Sequence, residues 1–257
     1  TVFSNPGNVS TTTPNNKTTV TISNLAAGNY TFSVFATNNI GNSGINTSCP
    51  LAVPGVYSLL MHFDGTNGGT TFTDSTGQST FSINAGTPTT STTTYQFSPS
   101  SFKGATSGQA TQISTSSKSI FAPGTGPFTV ECWVYRNSSG TYGLIGKGTG
   151  TTGWLLSLNS SNQVVFTYGS STITSTGTVS ATTWTHIAVV RSGTSTNQTK
   201  IYIGGTNDGT GTVSTDFNQT NAMYVAADRT GGSNANAYVQ DTRVTLYARY
   251  SANFTPP

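Results

Sequence analysis

Apolar and polar residues alternate along most of this chain, and helical spacing is absent. In the first fifty residues Tyr30, Phe32, Val34 and Ala36 fall on one side of a stretch whose other side carries Thr31, Ser33 and Thr37. That period of two predicts a half-buried strand. Val20 and Ile22 close a shorter strand before it, and the turn residues Asn24 to Asn29 separate the two. Leu59, Leu60, Met61 and Phe63 begin a new strand, followed by a mostly polar stretch from 64 to 127 with turn signals at Asp64-Gly65, Asn67-Gly68-Gly69 and Pro123-Gly124. From Phe128 onward the strands are strong: "FTVECWVY", "GWLLSL", "QVVFTY", "WTHIAVVR", "KIYIG", "AMYVA" and "YVQDTRVTLY", spaced by Gly, Asn, Ser and Thr turns. Phe128, Val130, Cys132 and Val134 alternate onto one buried face. No amphipathic helix is predicted.

Composition sharpens this picture. Charged residues make up 7% of the 257, hydrophobic residues 33% and aromatics 11%. β-Branched Thr with turn-forming Asn and Gly disfavours helices and suits short strands, while the spread of aromatics argues for packed cores. Net charge is +3, and Arg191, Lys200, Arg229, Arg243 and Arg249 are scattered. Without a basic run to follow a phosphate backbone, nucleic acid is not an expected partner. No stretch approaches the length of a membrane-spanning helix, so membrane insertion is not expected. Two cysteines are too few for a disulfide framework, and Cys49 and Cys132 are expected to be independent thiols, with an interdomain disulfide as the less favoured alternative. The Pro-containing segment "CPLAVPG" reads as a linker. It divides the chain into a module at 1–48, a linker at 49–56 and a larger domain at 57–257.

The segment "TVTISNLAAGNYTFSVFATNNIGNSG" resembles the late strands of a fibronectin type III domain, with Tyr30 where that family keeps its core tyrosine. A sandwich of that kind needs about seven strands and this region supplies roughly four. The remainder is expected either in a longer polypeptide, which is the favoured reading, or from a neighbouring subunit. From Leu59 to Pro257 the chain resembles the laminin-G-like, concanavalin A-like superfamily, in versions found in bacteriophage structural and bacterial surface proteins. "LLMHFDGTNGGTTFTDSTG", "GTGPFTVECWVYRNSSGTYGLIGKG", "GWLLSLNSSNQVVFTYGSS", "TWTHIAVVRSG", "KIYIGG" and "VQDTRVTLYARYSANFTPP" carry the likeness in order. The resemblance implies an all-β fold: an antiparallel two-sheet jelly-roll sandwich beside a small fibronectin type III-like β module.

That superfamily includes glycoside hydrolases, which use paired carboxylates. This chain has a single glutamate, Glu131, and six aspartates with no close pair in sequence. His62 and His186 belong to no nucleophile or metalloprotease motif, so catalysis is not expected. Asp64 in "FDG" and Asp241 in "VQDTR" match acidic positions of the superfamily, and Asp228 in "ADRTGG" adds an oxygen, which makes calcium a candidate ion. The plainer reading, which ranks ahead, has Asp64 capping a turn with Gly65 and Asp241 pairing with Arg243. For carbohydrate binding the candidate platforms are Tyr142, Trp154 and Tyr168. Trp133, Trp154 and Trp184 sit at strand positions where a core role is commoner, whereas Tyr142 lies in a Gly-rich stretch and is expected outside the core.

The leading expectation is a non-enzymatic virion surface protein of a bacteriophage: a tail fibre, head fibre or capsid decoration. It would assemble with other virion subunits as a homo-oligomer and bind host surface glycans, with no cofactor required. A bacterial cell-surface adhesin or extracellular filament subunit is the first alternative. A soluble calcium-dependent lectin is the second.

Overall fold

A computed structural model describes residues 2–5, 10–12, 22, 28–34, 37–38, 41–42, 46–47, 51–53, 59–104, 112–115, 121–148, 153–229 and 235–257. The chain forms two compact units, Thr1–Val56 and Tyr57–Pro257. The first holds strands β1 (Val2–Asn5), β2 (Ser10–Thr11), β3 (Gly28–Val34), β4 (Thr37–Asn38), β5 (Gly41–Asn42), β6 (Asn46–Thr47) and β7 (Leu51–Val53). The sheet runs β2-β1-β3-β6, with β7 also paired to β3 and β4 paired to β5. The alternating stretch at Tyr30 is thus a strand, whereas Ile22 lies outside any strand. Leu51–Val53, within the segment expected as linker, is instead paired residue for residue with Gly28–Tyr30. Its apolar LAV run between two prolines is long enough to make a short ladder.

The second unit holds β8 (Leu59–Met61), β9 (Phe81–Ala85), β10 (Thr89–Ser91), β11 (Ser101–Lys103), β12 (Gln112–Thr115), β13 (Phe128–Arg136), β14 (Tyr142–Lys147), β15 (Trp154–Leu158), β16 (Gln163–Tyr168), β17 (Ser171–Thr178), β18 (Thr185–Arg191), β19 (Thr199–Ile203), β20 (Thr206–Gly211), β21 (Met223–Val225) and β22 (Ala237–Thr245). Among the described residues these form two antiparallel sheets. One has eight strands, β10-β11-β22-β13-β18-β19-β20 with β8 also on β22. The other has seven, β17-β16-β15-β14-β21-β12-β9. The fold is the expected all-β jelly-roll sandwich.

Period-two patterning makes the layers. On β13 the side chains of Phe128, Val130, Cys132 and Val134 enter the core between the sheets, where Ile187, Val189 and Ile201 of the same sheet join Leu156, Phe166 and Val225 of the other. Burying each large aliphatic side chain contributes about 1.5–3 kcal/mol. Cys132 is a free, fully buried thiol in that core. Burial, with the charges of Glu131 and Asp241, pushes its pKa far above the ordinary thiol range. Cys49 lies outside the described residues.

The outer face of the eight-stranded sheet carries its own cover. Residues 246–257 cross it as a strap. Thr129 Oγ1 donates to the Tyr247 carbonyl and accepts from Arg249 N–H. Phe254 N–H donates to the Gly205 carbonyl, and Trp133 Nε1 donates to the Pro257 carbonyl. Tyr250 and Phe254 stack at 3.4 Å and pack on a second apolar cluster of Ala188, Val190 and Tyr202. Gly204 and Gly205 connect β19 to β20 with φ of 56° and 80°. A two-residue turn with both φ positive matches the twist of a hairpin and favours Gly-Gly.

Candidate functional site

Where β8 ends and β22 bends, the outer side of the eight-stranded sheet opens into a cleft of about 350 Å³. It is lined by His62, Asp64, Phe97, Ser98, Gln240, Asp241, Arg243 and Pro257. The bend has a register cause. Glu131 faces Arg243 and Trp133 faces Gln240, so β22 spends two residues, Asp241 and Thr242, where β13 spends only Cys132. Such a bulge re-aims a side chain. Asp241 adopts φ 48° there, and Phe63, between His62 and Asp64, adopts φ 63°. Left-handed backbone is unfavourable for a non-glycine residue and persists only where its surroundings hold it. Phe63 is held by its ring, which packs on Phe102 and Phe72 with centroids 5.3 and 6.3 Å away. That leaves His62 and Asp64 at the cleft.

The opposite wall, residues 96–100, is tied down by one amide. Gln240 Oε1 accepts from the backbone N–H groups of Gln96 and Phe97, while its Nε2 donates to the carbonyls of Phe97 and Ser100. Ser100 Oγ in turn donates to the Phe63 carbonyl and accepts from Gly65 N–H. Phe97 stays 40% exposed and sets its ring edge-on to Trp133 at 5.7 Å. The walls are therefore pre-formed, as recognition sites generally are.

Beneath the cleft runs a chain of charges. His62 Nδ1 lies 2.7 Å from Asp241 Oδ1, and Arg243 bridges Asp241 Oδ2 at 2.9 Å to Glu131 Oε1 at 3.1 Å. Arg249, from the strap, reaches Glu131 Oε1 at 2.9 Å, and His186 Nε2 lies 3.4 Å from Glu131 Oε2. Glu131 is 1% exposed. Burial works against its charge, but the His186 imidazole close to it and the guanidinium groups of Arg249 and Arg243 outweigh that and hold its pKa below the ordinary 4.5.

The sequence-predicted residues divide between this cleft and the core. Asp64 and Asp241 come together in the cleft. Asp241 pairs with Arg243, as the plainer reading had it, while Gly65 N–H is satisfied by Ser100 and not by Asp64. Asp228 does not join them: it follows β21 on the other sheet, against Gly143 and Gly146 of β14. Among the described residues no group of three or more His, Cys, Asp or Glu is placed to hold a metal ion. Tyr142 is not the loop residue expected. It opens β14, is 6% exposed, and bonds its hydroxyl to Ser138. Trp154 is 2% exposed in the core. Tyr168 is half-buried, stacked on Phe166. Neither Tyr142 nor Trp154 offers a ring face to solvent. The exposed aromatic at the cleft is Phe97, 40% accessible, which stands with Tyr95 in a mostly polar stretch of the sequence. No helix among the described residues is long and apolar enough to cross a membrane.

Residues 105–253, more than half of the chain, match the sequence profile of the concanavalin A-like lectin/glucanases superfamily in its Laminin_G_3 form. The chain belongs to that superfamily. No curated protein matches it in sequence. Among solved structures it is similar to the binding domain of botulinum neurotoxin DC in complex with rat synaptotagmin II (TM-score 0.57, 15% identity, 76% of this chain and 49% of that one). It is similar also to a structure of botulinum neurotoxin type C concerned with interaction with two ganglioside molecules (0.56, 16%, 75% and 48%). A third is the binding domain of Paraclostridial Mosquitocidal Protein 1 (0.57, 13%, 76% and 49%). The chain spans about half the length of these proteins, and likeness at such identity establishes the fold.

Proposed function

We propose that this chain is a non-enzymatic adhesion module that presents the cleft at Asp64, Phe97 and Asp241 to surface glycans. The observation that carries this reading is the pair of left-handed non-glycine residues, Phe63 and Asp241, neighbours where β8 meets β22, beside a pre-formed cleft with an exposed aromatic residue. Strain of about 1–3 kcal/mol per residue clusters at ligand sites because the fold retains it for what it positions. A ring face accepts the C–H side of a sugar, and fixed polar groups beside it take hydroxyls. Interaction with gangliosides by a botulinum neurotoxin of similar fold supports the same use. Against catalysis, Glu131 is sealed beneath the strap and Asp241 is already bonded to Arg243, whereas glycoside hydrolysis needs two carboxyl groups facing the scissile bond.

The setting that best suits the module is a virion surface, with the unit Thr1–Val56 as a fibronectin type III-like spacer and other copies or structural subunits as neighbours. A charge-poor, Thr- and Asn-rich β scaffold suits an exposed particle, since it does not rely on salt-screened ion pairs. A bacterial cell-surface adhesin would use the cleft in the same way. Calcium has no part in this reading, because Asp241 is neutralised by Arg243 and Asp228 sits on the other sheet.

Adhesion of the full chain to intact host cells tests it. Mild periodate, which cleaves vicinal diols, is expected to abolish adhesion, and protease treatment of the cells to leave it. Adhesion that survives periodate and disappears with protease would overturn glycan recognition in favour of a protein receptor.

A further inference from the structure

The outer face of β13 carries aromatic residues past the end of the cleft. Trp133 and Tyr135 fall on that face by period two, with the buried core residues Cys132 and Val134 on the other. Trp133 meets the cleft through Phe97. One strand step of about 6.6 Å further on, Tyr135 has Tyr238 of β22 on one side and Trp184, which leads into β18, on the other. Their ring centroids lie 5.8 and 5.7 Å from its own. Register makes this row: Tyr135 pairs with Tyr238, and Val134 pairs with Thr185, which brings Trp184 abreast of Tyr135. Past the end of β13 the surface turns to amides, where Asn137 Nδ2 donates to Asn236 Oδ1.

Two observations set the row apart from the core. Tyr135, Trp184 and Tyr238 are each part-exposed, whereas Phe128, Phe166 and Phe217 between the sheets are buried. The Tyr135 and Tyr238 hydroxyls and the Trp184 indole N–H also make no hydrogen bond among the described residues, although such groups usually find a partner when buried. The row is therefore apolar in its rings and polar at its tips. A sugar has the same division, with C–H faces to stack and hydroxyls to donate and accept. A purely apolar partner would cover those tips and leave them unpaired, which is costly. Lys103, opposite Tyr238 on β11, adds a donor at the border that hydroxyl and carboxylate oxygens alike accept.

We propose that the glycan taken by the cleft runs on along the face of β13, with Phe97 at one sugar ring and the row of Tyr135, Trp184 and Tyr238 at the next. The module then recognises a stretch of linked hexoses and not a single terminal sugar. The proposal rests on the glycan reading above and adds the extended form of what is bound. The freedom lost on association is spent once, so contacts made by a second sugar ring add directly to affinity.

The test is adhesion of the full chain to host cells, competed by oligosaccharides released from those cells and fractionated by length from single sugars upwards. Longer fractions are expected to inhibit at about tenfold lower molar concentration than single sugars, the gain from one further aromatic contact. Tyr135→Ala and Trp184→Ala should lose that gain and keep the single-sugar value, whereas Phe97→Ala should weaken every fraction. Tyr135→Phe and Tyr238→Phe keep the rings and remove only the hydroxyls, so they should melt as the parent does and lose part of the gain. Single sugars that inhibit as well as longer fractions, or row variants that retain the parental gain, overturn the extended subsite and leave glycan recognition standing. Row variants that alter only the sedimentation of the protein assign the row to contact between copies and overturn it as well. No competition by any fraction overturns glycan recognition itself.

Discussion

A single glutamate anchors the polar half of this sandwich. Glu131 sits on the face of β13 opposite Cys132, and two guanidinium groups and an imidazole converge on its carboxylate. Removing one partner of a buried ion cluster leaves the others charged and unsolvated, which costs about 3–5 kcal/mol. Glu131→Gln is therefore expected to lower the urea midpoint sharply at pH 7. The gap between parent and variant should also depend on pH. A carboxyl held below its ordinary 4.5 contributes stability that is present above that value and is lost as pH falls through the depressed one. Denaturation curves between pH 7 and pH 2 should show the two proteins converging at the acid end. A gap that stays constant with pH would mean that Glu131 acts through packing and not through charge.

At the scale of elements, the strap depends on how closely it can approach a hairpin. A Cβ on Gly205 would lie 1.9 Å from the Phe254 carbonyl oxygen, and its φ of 80° disfavours any other residue. Gly205→Ala is expected to destabilise by about 2 kcal/mol or more through strain and lost contact. Chymotrypsin should then cut at Tyr250 and Phe254 faster than in the parent, and an unchanged digestion pattern would show that the strap is held elsewhere. Elements differ in how readable they are. β13 announces itself because Phe128, Val130, Cys132 and Val134 alternate with the polar Thr129 and Glu131, although both of its faces are covered. β14 does not: its residues Tyr142 to Lys147 are buried too, but apolar and polar residues do not alternate along it and Gly143 and Gly146 interrupt the run. Its glycines look like loop but serve contact, since a Cβ on Gly143 would lie 2.1 Å from the Asp228 amide nitrogen. That is why Tyr142 reads as a loop residue and is found in the core.

For the molecule as a whole, the sandwich was legible and its cleft only partly so. Turn chemistry and alternating runs repeat across two hundred residues, and many weak local signals agree. The cleft joins residues near 62, 97, 241 and 257, and it exists because β22 slips one residue against β13. A slip in cross-strand register leaves no trace in the composition of either strand. Asp64 and Asp241 could be picked out as acidic positions of the superfamily. Phe97 and Gln240, which shape the wall between them, carry no such mark.

The buried thiol of Cys132 gives this protein an internal clock. A thiolate is the species that reacts with alkylating agents, and here the group is both enclosed by core side chains and held protonated. It becomes reactive only when the two sheets part. Iodoacetamide labelling of the Cys132 peptide, followed by mass spectrometry, should therefore proceed at the rate of global opening when reagent is abundant. When reagent is scarce it should track the opening equilibrium. Labelling as fast as that of a free peptide would mean that the core breathes without unfolding.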